Sequence, residues 1–456
     1  MRAQQVDIAV IGAGIVGIAC AYYLALSERR PKIALIDPLA PMSLTSAASG
    51  ENYRNWWPHP VMTAFTDYSI DLMEAVATES DNRLHMTRRG YALATRQADP
   101  ELLLRQLHEG YGPQGAAKIR VHKAGSASAY RPAESADWRT APDGVDVIQD
   151  RSLIERCFPS FDREIATVLH IRRAGDISGQ QLGSHMLERV RERGGRLIPG
   201  RMVGIERAAA FDLTVKGEEA LSSVHADVMV DAAGPHVAEV AALLGETLPV
   251  STVFQQKIAF EDVQGVVDRR MPFAIDLDGQ IIDWTEEERV LLADDPATRW
   301  LTGPMPGAVH CRPDGGERGR WIKLGWAYNR RPAQPVADLP TDENFPEIVL
   351  RGASRLNPGL SAYYGRLPSR MSHYGGYYTM TRENWPLIGP MATKGAYVAG
   401  ALSGYGTMGA CATGALVAAW ILGETLPDFA RPLGRARYDD KVLMQGLLAA
   451  SNTGVL

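Results

Sequence analysis

Val6-Asp7-Ile8-Ala9-Val10-Ile11-Gly12-Ala13-Gly14-Ile15-Val16-Gly17, close to the start of the chain, decides the fold. Residues 6–11 are mostly apolar and read as a short strand. Gly12, Gly14 and Gly17 follow in GxGxxG spacing, and 15–26 continues as an apolar, helix-compatible run. A second strand, 33–36, ends at Asp37, twenty residues past Gly17. Each part has a physical task in a dinucleotide site. One glycine makes the tight turn, the next lets the backbone approach a pyrophosphate, and the third lets helix and sheet pack closely. The helix start offers unpaired N–H groups to phosphate charge, and Asp37 can accept hydrogen bonds from a ribose diol. A glycine-rich turn alone needs no ligand, and an ordinary strand-helix-strand unit is the alternative. The order strand, turn, helix, strand, acid favours the dinucleotide, without distinguishing a nicotinamide from a flavin.

The rest of the composition sets limits. At 456 residues the chain exceeds the size at which one core usually keeps growing, so two domains are expected. Hydrophobic residues at 45% and charged residues at 22% belong to a soluble globular protein. The net charge of -5 argues against a nucleic-acid surface. Cys20, Cys157, Cys311 and Cys411 are scattered, without CxxC or metal-ligand spacing, so free thiols in a reducing, cytoplasmic setting are expected. The first strand is reached within six residues, which leaves no room for a signal peptide there. No charged residue stands between Lys394 and Glu424, but glycines interrupt the stretch. Its credible helix, 408–422, is shorter than the roughly 20 residues a bilayer needs. A buried helix beside a ligand is the expectation, with no membrane span.

Along the chain, a small-residue segment, 43–50, leads into Glu51-Asn52-Tyr53-Arg54-Asn55-Trp56-Trp57-Pro58-His59-Pro60, dense enough in aromatic and ionisable groups to line a site. A helix is expected over 61–78, a strand over 90–95, and mixed structure over 98–150. A helix over 178–193 is closed by Gly194-Gly195. Strands over 202–215 and 223–230 run into a second tight turn at Gly234-Pro235. From 248 to 368 the texture suggests an antiparallel sheet, with 286–320 a polar surface excursion. Gly404-Tyr405-Gly406-Thr407-Met408-Gly409 opens the charge-free helix, again placing backbone N–H groups where a ligand could sit.

Together the opening fingerprint, the 227–235 segment, the 378–390 segment and the closing Gly404-Tyr405-Gly406 resemble the D-amino-acid oxidase family of flavoproteins, nearest the sarcosine oxidase and glycine oxidase group. The resemblance implies an α/β, Rossmann-like FAD-binding domain built from 1–90, 166–244 and 377–456. It implies a second α+β domain, 91–165 and 245–376, whose antiparallel sheet covers the flavin ring. FAD contacts are then implied for Gly12, Gly14, Ile15, Val16, Gly17, Asp37, Ser46, Gly50, Gly234, Gly404, Gly406, Thr407 and Met408.

The family oxidises a carbon next to nitrogen in an amine or amino acid; the imine hydrolyses, and in oxidases molecular oxygen becomes hydrogen peroxide. Trp321-Ile322-Lys323-Leu324-Gly325-Trp326 is similar to the family strand whose lysine assists oxygen reduction, which implies that role for Lys323. The family histidine four residues on is replaced by Ala327. Arg54 matches an arginine near flavin and substrate, suited to a carboxylate. Tyr378 matches a site tyrosine, and His59 is the one nearby group whose ordinary pKa suits a base near neutrality. A second anchoring lysine is replaced by Met408, which points away from N-methylglycine. Gly376 stands where a flavin-bearing cysteine would fall, so non-covalent FAD is expected. A family dehydrogenase passing electrons to a quinone or protein, and a non-catalytic FAD-binding subunit, are the alternatives.

Overall fold

The opening run forms the strand Gln4–Ile11 and the helix Ile15–Leu26, and the next strand is Ile33–Asp37. The structure is a computed structural model describing residues 4–125, 129–133, 138–316, 318–336 and 338–449. Parts of the mixed 98–150 stretch, at 126–128 and 134–137, therefore lie outside the described residues.

Gln4–Ile11 sits inside an eight-stranded sheet. The parallel strands run in the order Arg196–Pro199, Ile33–Asp37, Gln4–Ile11, Leu221–Asp231, Ala396–Gly400, and Leu387–Pro390 closes the edge antiparallel. The hairpin Arg201–Arg207 and Phe211–Lys216 pairs with the first part of Leu221–Asp231. The central strands are apolar over Ile8–Ile11, Ile33–Ile36 and Val228–Val230, where helices cover one face and a second apolar cluster the other. The charge-free stretch is the helix Gly406–Leu422, buried along most of its length. It presses on Ile15–Leu26 so closely that a Cβ on Gly414 would lie 2.5 Å from the carbonyl carbon of Ala19. A helix wrapped this way has no solvent face on which to carry charge. No helix among the described residues is long and apolar enough to cross a membrane.

A second sheet has nine strands, in the order Ser372–Thr381, Val250–Glu261, Trp321–Gly325, Val309–Asp314, Phe273–Asp276, Tyr91–Thr95, Thr167–Ile171, Val145–Ile148, Ile119–His122. Most neighbours are antiparallel; the parallel exceptions pair Phe273–Asp276 with Tyr91–Thr95 and Ile119–His122 with Val145–Ile148. Thr167–Ile171 thus lies in the large sheet, and Ser372–Thr381 runs across residue 376.

The expected surface excursion over 286–320 needs correction. Its first part is an exposed helix, Glu286–Asp294, but Val309–Asp314 is an interior strand. Val309 and Cys311 are fully buried in the core, while His310, Arg312 and Asp314 share the opposite face. Those polar residues concealed the strand, because their face is turned to a polar site rather than to solvent.

Candidate active site

The glycine turn is built by steric necessity. Gly12 has φ +105° and a Cβ there would clash with the Ala232 carbonyl; a Cβ on Gly17 would clash with the carbonyl of Gly12. Gly14 has only Ser46 Oγ nearby, 3.1 Å from a would-be Cβ. Asp37 accepts from Ala13 N at 2.7 Å and Leu39 N at 2.8 Å, while Ser46 Oγ accepts from Ile15 N at 3.0 Å. The acid thus braces the turn from the end of the neighbouring strand.

Three cavities follow one another from this turn. The first, about 360 Å³, is lined by Gly12, Gly14, Asp37, Ser46, Arg201, Gly234 and Glu239 among others. The second, about 110 Å³, shares Gly14, Ser46 and Gly234 and adds Ile15, Val16, Gly50, Lys257, Tyr378, Gly404, Gly406 and Thr407. The third, about 100 Å³, shares Gly50, Lys257, Tyr378, Gly404 and Thr407 and adds Arg54, Trp57, Tyr91, His310, Arg330 and Met408. The shared residues join them into one groove. It passes the N-terminus of Ile15–Leu26 and then that of Gly406–Leu422, two sets of helix-end N–H groups suited to anionic or carbonyl oxygens.

Cations cluster at the inner end. Arg54 is buried, donates Nε to the Trp56 carbonyl at 3.1 Å, and stands 5.3 Å from the Trp57 ring centroid and 5.5 Å from that of Tyr91. Burial lowers its pKa, with Tyr91 opposing. Met408 Sδ accepts from Arg54 N at 3.1 Å, and the Met408 carbonyl accepts from Ser69 Oγ at 2.6 Å. Lys257 is 5% exposed, and its Nζ donates to the Ala48 carbonyl at 3.3 Å and to Tyr378 Oη at 3.1 Å. Gly404 gives the Tyr378 ring its room: a Cβ there would stand 2.5 Å from Cε2. Thr407 Oγ1 and Ser49 Oγ are hydrogen-bonded at 2.8 Å.

Three residues singled out in the sequence line none of the three cavities: Gly17, Lys323 and His59. Gly17 acts through packing. Lys323 Nζ is held by Glu51 Oε2 at 3.1 Å and Asp314 Oδ1 at 3.4 Å. His59 caps the helix Pro60–Glu79, its Nδ1 accepting from Val61 N at 3.2 Å, and burial lowers its pKa. Conversely, Lys257 and His310 were not singled out. Lys257 carried a weak signal, a lysine directly before the apolar run Ile258-Ala259-Phe260. His310 carried none, since its strand was hidden. Lys257 pairs with Gly325 and Lys323 with Ala259, so the two lysines share a face of the sheet two residues apart, roughly 7 Å along it.

Gly376, opposite Gln255 in the sheet, has Ala48 Cβ 3.1 Å from a would-be Cβ. None of the four cysteines lines the groove. Among the described residues no cluster of three or more His, Cys, Asp and Glu could hold a metal ion.

Parallel sheet, glycine turn and groove define a Rossmann-type dinucleotide-binding fold with a second, sheet-built domain over the groove. The family model for FAD dependent oxidoreductases (DAO) matches residues 7–420, and the chain belongs to that family. Solved structures agree in fold. Glycine oxidase from Geobacillus kaustophilus superposes with TM-score 0.69 at 16% identity, covering 94% of this chain and 98% of that one. L-Proline dehydrogenase from P. horikoshii gives TM-score 0.71 at 17% identity, covering 96% and 99%. NikD, described as an unusual amino acid oxidase essential for nikkomycin biosynthesis, gives 0.68 at 14%, covering 94% and 97%. No curated protein sequence matches the chain.

FAD is the cofactor of the family, and this groove fits it. Gly14 leaves space that a side chain would take, the two helix N-termini follow along the groove, and shared lining residues join the three cavities.

Proposed function

We propose that this FAD-dependent oxidoreductase oxidises a carboxylate-bearing amine or amino acid at the carbon next to nitrogen, with molecular oxygen as electron acceptor. The observation that carries this reading is the placement of Arg54 and Lys257, buried cations on a cavity that Trp57, Tyr91, Phe273 and Tyr405 also line and that adjoins the inner end of the cofactor groove. Bound FAD supplies the hydride acceptor that this chemistry needs. Gly12, Gly14, Ser46, Gly234 and Asp37 would hold its adenosine and pyrophosphate end, and Gly50, Lys257, Tyr378, Gly404, Gly406 and Thr407 its ring end, without a covalent tether.

Around the substrate, Arg54 offers a fork to a carboxylate. Trp57, Tyr91 and Met408 exclude water on that side, which strengthens the charge pairing. Arg330, exposed and at the same cavity, adds a cation where ligands arrive. Lys257 holds Tyr378 Oη as hydrogen-bond acceptor, which leaves the phenol hydrogen for a ligand. The same ammonium places fixed positive charge beside the ring space, favourable to negative charge developing on oxygen. Four free cysteines support a reducing, cytoplasmic setting.

A second reading, a dehydrogenase delivering electrons to a quinone or protein, is favoured by one observation: Lys323 is tied into ion pairs with Glu51 and Asp314. The test is direct. The purified yellow protein is mixed anaerobically with D-amino acids, N-alkyl amino acids and simple amines, and bleaching identifies substrates. Admission of oxygen should then yield one peroxide per turnover. Bleaching without peroxide would establish the dehydrogenase, and no bleaching by any amine would overturn both readings.

A further inference from the structure

We infer that His310 receives the substrate's amine N–H on Nε2 and thereby holds the amine as its free base; this rests on the reading of the site as an amine or amino-acid pocket. His310 lines the third cavity from the strand Val309–Asp314. Its Nδ1 lies 3.3 Å from the carbonyl of Ala308. A carbonyl can only accept, so Nδ1 carries the hydrogen, and in the neutral ring Nε2 is left as a lone pair. Among the described residues nothing is hydrogen-bonded to Nε2.

The backbone is shaped around this one imidazole. Ala308 adopts φ +73°, unusual for a residue with a side chain, in the turn that presents its carbonyl to Nδ1. On the next strand, a Cβ at Gly325 would overlap Nε2 itself. The Phe273 ring, 5.0 Å from the imidazole centroid, fixes the remaining side. Two uncommon backbone features converge on a histidine that, among the described residues, makes no ion pair.

Its chemistry is that of an acceptor, not a base. Burial and then Lys257 push its pKa down to about 3, opposed by the Ala308 carbonyl and aided least by Arg312. An imidazole so reluctant to bind a proton cannot strip one from an ammonium group. Charged groups facing the cavity are the cations Arg54, Lys257 and Arg330 and the acid Glu51, which is engaged by Lys323 and by Gly179 N. An ammonium is repelled there, whereas a free amine can donate to Nε2 while its carboxylate meets Arg54. The nitrogen lone pair then stays available to assist loss of hydride from the adjacent carbon.

The test uses holoenzyme and variants His310→Gln, which keeps an acceptor, and His310→Leu, which does not. The probes are N-methylglycine, L-proline and D-alanine in anaerobic flavin reduction, and propanoate, which lacks nitrogen, in a spectral binding titration. Propanoate should bind all three proteins alike, showing an intact pocket. His310→Leu should raise the apparent Kd of the amine that bleaches the wild type by about ten-fold or more, the factor for one lost hydrogen bond of about 1.4 kcal/mol, with His310→Gln closer to wild type. The reduction efficiency of the wild type should fall ten-fold per pH unit below the amine's own pKa, with no inflection near 6.5, the ordinary histidine value. An unchanged amine Kd in His310→Leu, or an inflection near 6.5 that this variant abolishes, would overturn the inference while leaving the proposed function standing. If no amine bleaches the wild type, the functional reading fails and the inference with it.

Discussion

Lys257 and His310 are both register partners of Gly325, one on each side, so their side chains flank a notch on the cavity face of the large sheet. The two strands that carry them stand roughly 10 Å apart, twice the usual strand spacing. A cationic donor and a neutral acceptor therefore face the same space from opposite sides. That polarity gives a bound molecule a direction, and it makes Lys257 the cation to compare with Lys323.

Lys257→Met should slow reoxidation of the reduced flavin by oxygen at least ten-fold, with a much smaller effect on its reduction by amine. Lys323→Met should change both by less, because its charge is already balanced by Glu51 and Asp314. Stopped-flow traces of the two half-reactions separate the two lysines. A larger reoxidation defect in Lys323→Met would return the oxygen role to that residue.

Arg54→Ala should raise KM for any carboxylate-bearing substrate by roughly 10- to 100-fold, as expected for losing a charge-assisted hydrogen bond of about 1.5–3 kcal/mol. Arg54→Lys should recover little, since an ammonium cannot match a two-pronged carboxylate contact. Steady-state kinetics with a carboxylate substrate and its amide give the comparison; equal losses on both would remove the carboxylate role.

The glycines of the first turn should differ sharply from one another. Gly17→Ala sets a methyl against the Gly12 carbonyl and should abolish soluble, yellow protein. Gly14→Ala meets only the Ser46 hydroxyl, which can rotate, and should fold while binding FAD more weakly. The ratio of flavin to protein absorbance, with a melting temperature, reads both effects. Acid precipitation of the wild type should leave all the FAD in the supernatant.

Acid should destabilise the fold through two histidines. Burial pushes both His170 and His310 down to about 3. Below 6.5 the unfolded chain takes up protons on these residues that the folded chain refuses until near pH 3. Their contribution to stability is thus complete above that ordinary value and is lost as pH falls, by about 1.4 kcal/mol per pH unit for each. Melting temperatures from pH 8 to pH 5 should fall on the acid side, with a shallower slope in His310→Leu.

Legibility in the sequence followed local chemistry. The Gly12–Gly17 turn, Asp37 and the helix after Gly404 were readable because steric and helix-end requirements act between neighbours in sequence. Arg54 and Tyr378 were reached through family resemblance and do line the inner cavity. Lys257 and His310 were not reached, because strand register, which sets them beside Gly325, is a property of three distant segments. His59 shows the opposite error: a suitable ordinary pKa says nothing about whether a ring caps a helix or faces a ligand.

The close crossing at Gly414 has a consequence for how the protein is made. Ile15–Leu26 is translated nearly 400 residues before the helix that covers Ala19 and Cys20. Until then the opening unit exposes an apolar flank, and Gly404, Gly406 and Thr407 have not joined the groove. Cofactor capture is therefore a late event in biogenesis. A chain that stalls before Gly404 is left sticky and colourless, a ready substrate for chaperones and proteases.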